Sequence, residues 1–144
     1  MTDLVVAEVN DDGLDATWPV MSQLRPHLDL ASYRAMVARM RISDGIRVIA
    51  ASRDGRVVGV MGVRPMELLY AGRILQVDDL VVDSSERSGG VGQALLNWVK
   101  ADALVQGRAE VHLDSALVRQ DAHRFYDREG FERLGYHFRI KLQT

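Results

Sequence analysis

The sequence predicts a mixed α/β (α+β) fold, a central sheet with helices on both faces, in the element order β-α-α-β-β-β-α-β-α-β. Three observations carry that reading. An Asp54-Gly55 pair stands between two β-rich runs, a strand-like stretch passes through glycines into a helix pattern over residues 79 to 99 (DLVVDSSERSGGVGQALLNWV), and strand and helix patterns alternate after it. The chain has 144 residues, 47% hydrophobic and 26% charged, which suits one compact domain. No repeat, linker or low-complexity tract divides it, so a single domain over residues 1–144 is expected.

Taken in order, Leu4 to Val9 reads as a short strand closed by the loop NDDG. Thr17 followed by Pro19 marks a helix start, with Met21, Leu24 and Leu28 on one stripe. A second helix is signalled by Ser32 as a cap and by Tyr33, Met36, Val37 and Met40 at helical spacing, with Gly45 ending it. The stretch RVIAASRDGRVVGVMGV turns on Asp54-Gly55, a strong hairpin signal. Arg73 to Asp83 forms the next strand around VDDLVV. A long helix from about Gly90 to Gln106 sets Val91, Ala94, Leu95, Trp98 and Val105 on one face, and Gly107 stops it. Residues 110 to 114 (EVHLD) are a strand, and residues 120 to 130 a helix with Ala122, Phe125 and Tyr126 together. The run from Leu134 to Leu142 alternates apolar and polar residues and is the closing strand.

Composition narrows the function. With no cysteine there is no disulfide, thiol nucleophile or thiolate metal site, and the four histidines lack ligand spacing, so no metal is expected. Net charge is −2 and the arginines are answered by nearby acids, which speaks against a nucleic-acid partner. No window approaches a membrane span, and the acidic start MTDLVVAEVNDDG is no secretory signal; a cytoplasmic protein without a membrane partner is expected.

The glycines of ERSGGVGQALL raise the chemical question. A helix N-terminus offers unpaired N–H groups and about half a positive charge, which favours a bound anion, and glycines leave those amides uncovered while Arg87 adds a cation. The alternative is a tight strand-to-helix turn with no ligand. Neither established phosphate loop fits: Gln93-Ala94 follows Gly92 where the Walker form needs Lys-Ser/Thr, and Leu95 stands where the dinucleotide form needs a third glycine.

The pattern Arg/Gln-x-x-Gly-x-Gly/Ala is met by Arg87-Ser88-Gly89-Gly90-Val91-Gly92. Together with the preceding strand and its acids, the later helix AHRFYDREGF and the element order, it resembles the Gcn5-related N-acetyltransferase (GNAT) superfamily over nearly the whole chain. The resemblance implies a GNAT-type acyltransferase fold, acetyl-CoA as co-substrate, and transfer of its acetyl group to a primary amine. It implies a diphosphate held by Arg87, Ser88, Gly89, Gly90, Val91, Gly92 and Gln93, and a pantetheine arm lying along the main chain of Leu80, Val81 and Val82. It implies Tyr126 as the acid that protonates the departing thiolate; from periodicity alone Tyr126 reads sooner as a core aromatic beside Phe125, and only the resemblance reverses that order. Many members carry an asparagine where HLDSALVRQDAHRFY has Ser115, which is the residue left to touch the cofactor arm.

A protonated amine, of pKa ~10.4, cannot attack until it loses a proton, so a base or water relay is required. Asp78 and Asp79 are the candidates; adjacent strand residues alternate faces, so one of them is expected to face the substrate, with Asp78 preferred. Alternatively one pairs with an arginine such as Arg73 as a structural salt bridge. Asp11, Asp12 and Asp15 lie in a region that borders the acceptor site in this fold, where acids would welcome a cationic amine. Asp121 reads as a helix-dipole acid, and His123 and His137 as surface or structural groups. Polyamines, aminoalkylphosphonates, aminoglycosides and amino acids are the acceptor classes, small molecules preferred over peptides, and a homodimer is a family habit. A second function class stays open: a non-catalytic module that binds an acyl-CoA and reports it to a partner.

Overall fold

A computed structural model describes residues 3–86, 89–115 and 119–143. They fall into two compact units, Met1–Leu113 and Asp114–Thr144. The first holds β1 (Val5–Val9), α1 (Trp18–Leu24), α2 (Leu30–Asp44), β2 (Arg47–Arg53), β3 (Arg56–Leu68), β4 (Gly72–Val82), α3 (Val91–Val105) and β5 (Glu110–Leu113); the second holds α4 (Gln120–Arg128).

The five strands form one mixed sheet in the order β1-β2-β3-β4-β5. The first three pairings are antiparallel, and β4 pairs with β5 in parallel across the α3 crossover. Asp54 and Gly55, both at positive φ (55° and 76°), make the β2–β3 turn in the conformation that an Asp-Gly pair favours.

Neighbouring strand residues face opposite sides, and β3 shows what each side holds. Val60 is fully buried in a cluster with Leu14, Val20 and Met21 and with Tyr33 and Val37 of α2. Gly59 faces α3. A Cβ on Gly59 would sit 2.5 Å from Val91 Cγ1 and 3.1 Å from Leu95 Cδ1, so the helix start rests directly on the bare strand. Val91 is β-branched and cannot swing away cheaply. Gly59→Ala is therefore expected to cost about 1–3 kcal/mol of stability by overpacking, measured by urea unfolding. Helices thus cover both faces of the sheet.

Local chemistry departs from the expected boundaries in three places. The cap of α2 is Asp29, whose carboxylate accepts from the Ser32 N–H at 2.7 Å; Ser32 lies inside the first turn. On α3 the buried stripe is Val91, Leu95, Leu96, Val99 and Ala103, while Val105 is solvent-exposed, because helical geometry rotates it off that stripe. The closing strand predicted over Leu134 to Leu142 is not formed: residues 131–143 carry no helix and no strand, and Leu134, Tyr136, Phe138, Ile140 and Leu142 are all exposed. An alternating pattern specifies a face, but a strand also requires a neighbouring edge to pair with. Among the described residues no helix is long and apolar enough to cross a membrane.

Candidate active site

The site is built at the point where β4 leaves the sheet. β5 pairs with β4 only from Ile74 to Val77, so on that side the ladder stops before Asp78. The Asp83 N–H donates to Val58 O at 2.8 Å, toward β3. Backbone groups along a strand alternate sides, so Val81 also turns toward β3, and Leu80 and Val82 direct their N–H and C=O groups to the open edge. The three residues expected to line a cofactor arm divide accordingly: Leu80 and Val82 offer backbone groups, and Val81 is committed to the sheet.

The glycine segment follows within eight residues. Gly90 is the N-cap of α3 at φ 79°, a conformation that costs glycine little, and it offers no capping side chain. The first bond of the helix runs from Ala94 N–H to Gly90 O, leaving the amides of Val91 and Gly92 without an intrahelical partner among the described residues. A Cβ at Gly90 would meet nothing within 4 Å, so the space over these amides is open on that side. The Gly89 N–H is spent on Glu86 O. Arg87 and Ser88 lie outside the described residues.

A polar network holds the approach to this segment. Glu86 pairs with Arg56 at 3.0 Å and with Arg53 at 3.7 Å, and Asp83 pairs with Arg56 at 2.9 Å. Hydrogen bonds from Gln23, Ser85 and Arg56, in that order of effect, hold the Asp83 carboxyl down at about 2. The tip of the β2–β3 hairpin is thereby tied to the β4–α3 connection. Sequence reasoning missed this tie, because charges 30 residues apart carry no local signal.

The two acids depart from their expected placement. Gly62 of β3 pairs with Asp79 and Val63 pairs with Val77, so Asp78 is the extra residue of a bulge. The bulge breaks the alternation that assigned the acids to opposite faces. Asp79 is bound by Arg25 at 2.5 Å and Asp78 by Arg64 at 2.5 Å, rather than by Arg73. Gly62 lies opposite Asp79, with its would-be Cβ 3.2 Å from Asp79 Oδ2, and Arg64 is two residues further along β3, on the same face. Both carboxylates therefore belong to one side of the sheet. Asp11 and Asp15 are likewise bound, by Arg41 and Arg34.

In the second unit, α4 carries Tyr126 with its ring centroid 5.4 Å from Phe125 and 5.9 Å from Phe131. Burial pushes the Tyr126 phenol above its usual value of 10.0, with Arg119 opposing the shift, so it is protonated at neutral pH. Ser115 Oγ is buried with no hydrogen-bond partner among the described residues. Asp121, in the first turn of α4, pairs with the exposed Arg124, and His137 lies 3.8 Å from Asp114. Among the described residues no cluster of three or more metal-ligating side chains occurs.

An open pocket of about 250 Å³ lined by Pro65, Met66, Glu67, Arg73 and Arg108 lies at the start of β4, remote from the glycine segment at its other end. It has no part in the arrangement above.

Residues 44–133 match the acetyltransferase (GNAT) domain family. The uncharacterised N-acetyltransferase YhdJ of Bacillus subtilis is 33% identical over 124 residues, 85% of this chain and 87% of its own length. An aminoalkylphosphonate N-acetyltransferase of Salmonella typhimurium is 31% identical over 116 residues, 80% of this chain and 75% of its own. An aminoglycoside N-acetyltransferase solved in complex with CoA superposes with a TM-score of 0.87 at 16% identity, over 100% of this chain and 97% of that one.

Proposed function

The chain belongs to the GNAT family and is an acetyl-CoA-dependent N-acetyltransferase, and from that premise we propose that a single domain over residues 1–144 moves the acetyl group to a primary amine of a small molecule by direct attack. One observation supports this reading above the others: two sets of backbone donors with no strand or intrahelical partner among the described residues, on Leu80 and Val82 and on Val91 and Gly92, lie along one strand-to-helix passage. The first set suits an extended amide-bearing arm, and the second suits a diphosphate. Coenzyme A has both parts in one molecule.

Acetyl-CoA supplies the activated thioester. The amides of α3, with Gly89, Gly90, Arg87 and Ser88 around them, hold the diphosphate, and the Ser115 hydroxyl reaches the arm in place of the more usual asparagine. Leu80 and Val82 pair with the arm, and an outward N–H there meets the charge that grows on the carbonyl oxygen. Asp78 or Asp79 takes the amine proton through a water; each carboxylate keeps lone pairs for that water while an arginine fixes its position. Tyr126 gives its proton to the departing thiolate and recovers one from solvent. Because burial raises its pKa, kcat is expected to show no alkaline limb below about pH 10, where a free tyrosine would itself titrate. A limb in the neutral range would assign the acid role to another group.

The aminoalkylphosphonate relative supports a small acceptor over a peptide. We assign the protein to the cytoplasm, with neither nucleic acid nor membrane as partner, and take a homodimer as its assembly, to be checked by light scattering. The function is tested by following free CoA with a thiol reagent while a panel of amines is offered. Thiol release with at least one small amine is the expected result. Tight binding of acetyl-CoA without turnover on any of them would instead mark a non-catalytic acyl-CoA module.

A further inference from the structure

Resting on the transferase reading above, we infer that the acceptor is an amine that also carries an anionic group, carboxylate or phosphonate, and that Arg25 is the residue that recognises it. The position of Arg25 follows from the sequence Arg25-Pro26. A residue before proline is disfavoured in helix, and α1 accordingly stops at Arg25, whose backbone (φ −122°, ψ 62°) leaves the helical region while its N–H still caps onto Met21 O at 2.9 Å. Beneath it, Thr17 donates to Leu14 O at 2.6 Å and receives the Tyr33 hydroxyl at 2.7 Å, fixing the start of α1 against α2. The side chain is thus presented from a rigid corner.

From that corner the guanidinium reaches the strand at the bulge. Nε and Nη2 both donate to Asp79 Oδ1, at 2.8 and 2.5 Å. Nη1 makes no hydrogen bond among the described residues, and the side chain is 41% exposed. Asp79 immediately precedes Leu80, whose outward backbone groups are assigned above to the thioester arm. A guanidinium held there, with a free donor edge toward solvent, matches an oxyanion a short distance from the reacting amine.

The charges around the same face point the same way. A polycationic acceptor, such as a polyamine or an aminoglycoside, would need free carboxylates, yet those on this side are taken: Asp79 by Arg25, Asp78 and Asp44 by Arg64, Asp15 by Arg34 and Asp11 by Arg41. Asp12 is exposed and adds one acid to this set of matched pairs. Arginine, with an unspent donor edge, is the group left to choose the substrate.

The test compares kcat/KM for four amines on the intact enzyme with saturating acetyl-CoA: 2-aminoethylphosphonate, β-alanine, ethanolamine, which carries no anionic group, and spermidine. The wild type is expected to prefer one or both anionic amines over ethanolamine and spermidine by about 100-fold. The phosphonate and carboxylate arms show which oxyanion is meant. Arg25→Gln is expected to cut that preference at least about 30-fold, through KM, with Arg25→Lys recovering part of it. Equal losses on all four amines would reduce Arg25 to a clamp for Asp79 and overturn the inference, as would a wild type fastest on spermidine. Absence of thiol release with every amine would overturn the transferase reading itself, a separate result from a lost or reversed preference.

Discussion

Gly92→Asp is expected to abolish productive coenzyme binding while leaving the fold as stable as before or more so. Gly92 lies in the first turn of α3, among the amides without intrahelical partners. A carboxylate in that turn complements the helix dipole by ~0.3–1 kcal/mol and relieves the poor helix propensity of glycine. Helical side chains lean toward the N-terminus, so the same carboxylate covers the donors that a diphosphate would use. Substituted charge against bound anion should weaken CoA by about 100-fold or more, roughly 3 kcal/mol. Titration calorimetry and thermal unfolding on one preparation separate the two effects. A destabilised variant that still binds CoA normally would show that the turn has only a structural role.

Tyr126→Phe is expected to lower kcat by about 100-fold to 1000-fold with little change in KM for acetyl-CoA, the scale of a lost general acid. The change removes one oxygen and keeps the ring that contacts Phe125 and Phe131. The hydroxyl has the protonation state an acid needs, since burial holds the phenol above 10.0. An acyl donor made from a more acidic thiol, a better leaving group, should lose less rate in the variant. An undiminished kcat would return Tyr126 to the reading in which it is a packing aromatic.

Much of this was legible in the sequence, and for identifiable reasons. Asp54-Gly55 encodes its turn through the two residues' own φ preferences, and Gly45 occupies the positive-φ position that commonly ends a helix. The glycines of the run Arg87 to Gly92 raise the question of a ligand from sequence alone, because they carry no side chain to cover the amides at a helix start. What failed was set by partners distant in sequence. The bulge at Asp78 comes from pairing with Gly62 and Val63, and nothing in VDDLVV announces it. The arginines that hold the acids lie 14 and 54 residues away, so proximity in sequence, which points to Arg73, does not identify them. The alternation of Leu134 to Leu142 has the period of a strand, but pairing depends on an edge that the pattern cannot specify. Arg25 was passed over because a helix-ending arginine is ordinary until the strand beneath it is known.

Backbone amide spectra of the labelled protein, recorded with coenzyme A and separately with pantetheine, which lacks the diphosphate, bear most directly on the proposal that bare amides grip the coenzyme. Coenzyme A should shift Leu80, Val82, Val91, Gly92 and Gln93, and pantetheine should shift Leu80 and Val82 while leaving the α3 amides where they were. If coenzyme A binds and the resonances of Val91, Gly92 and Gln93 do not move, the diphosphate lies elsewhere and the proposed site is wrong.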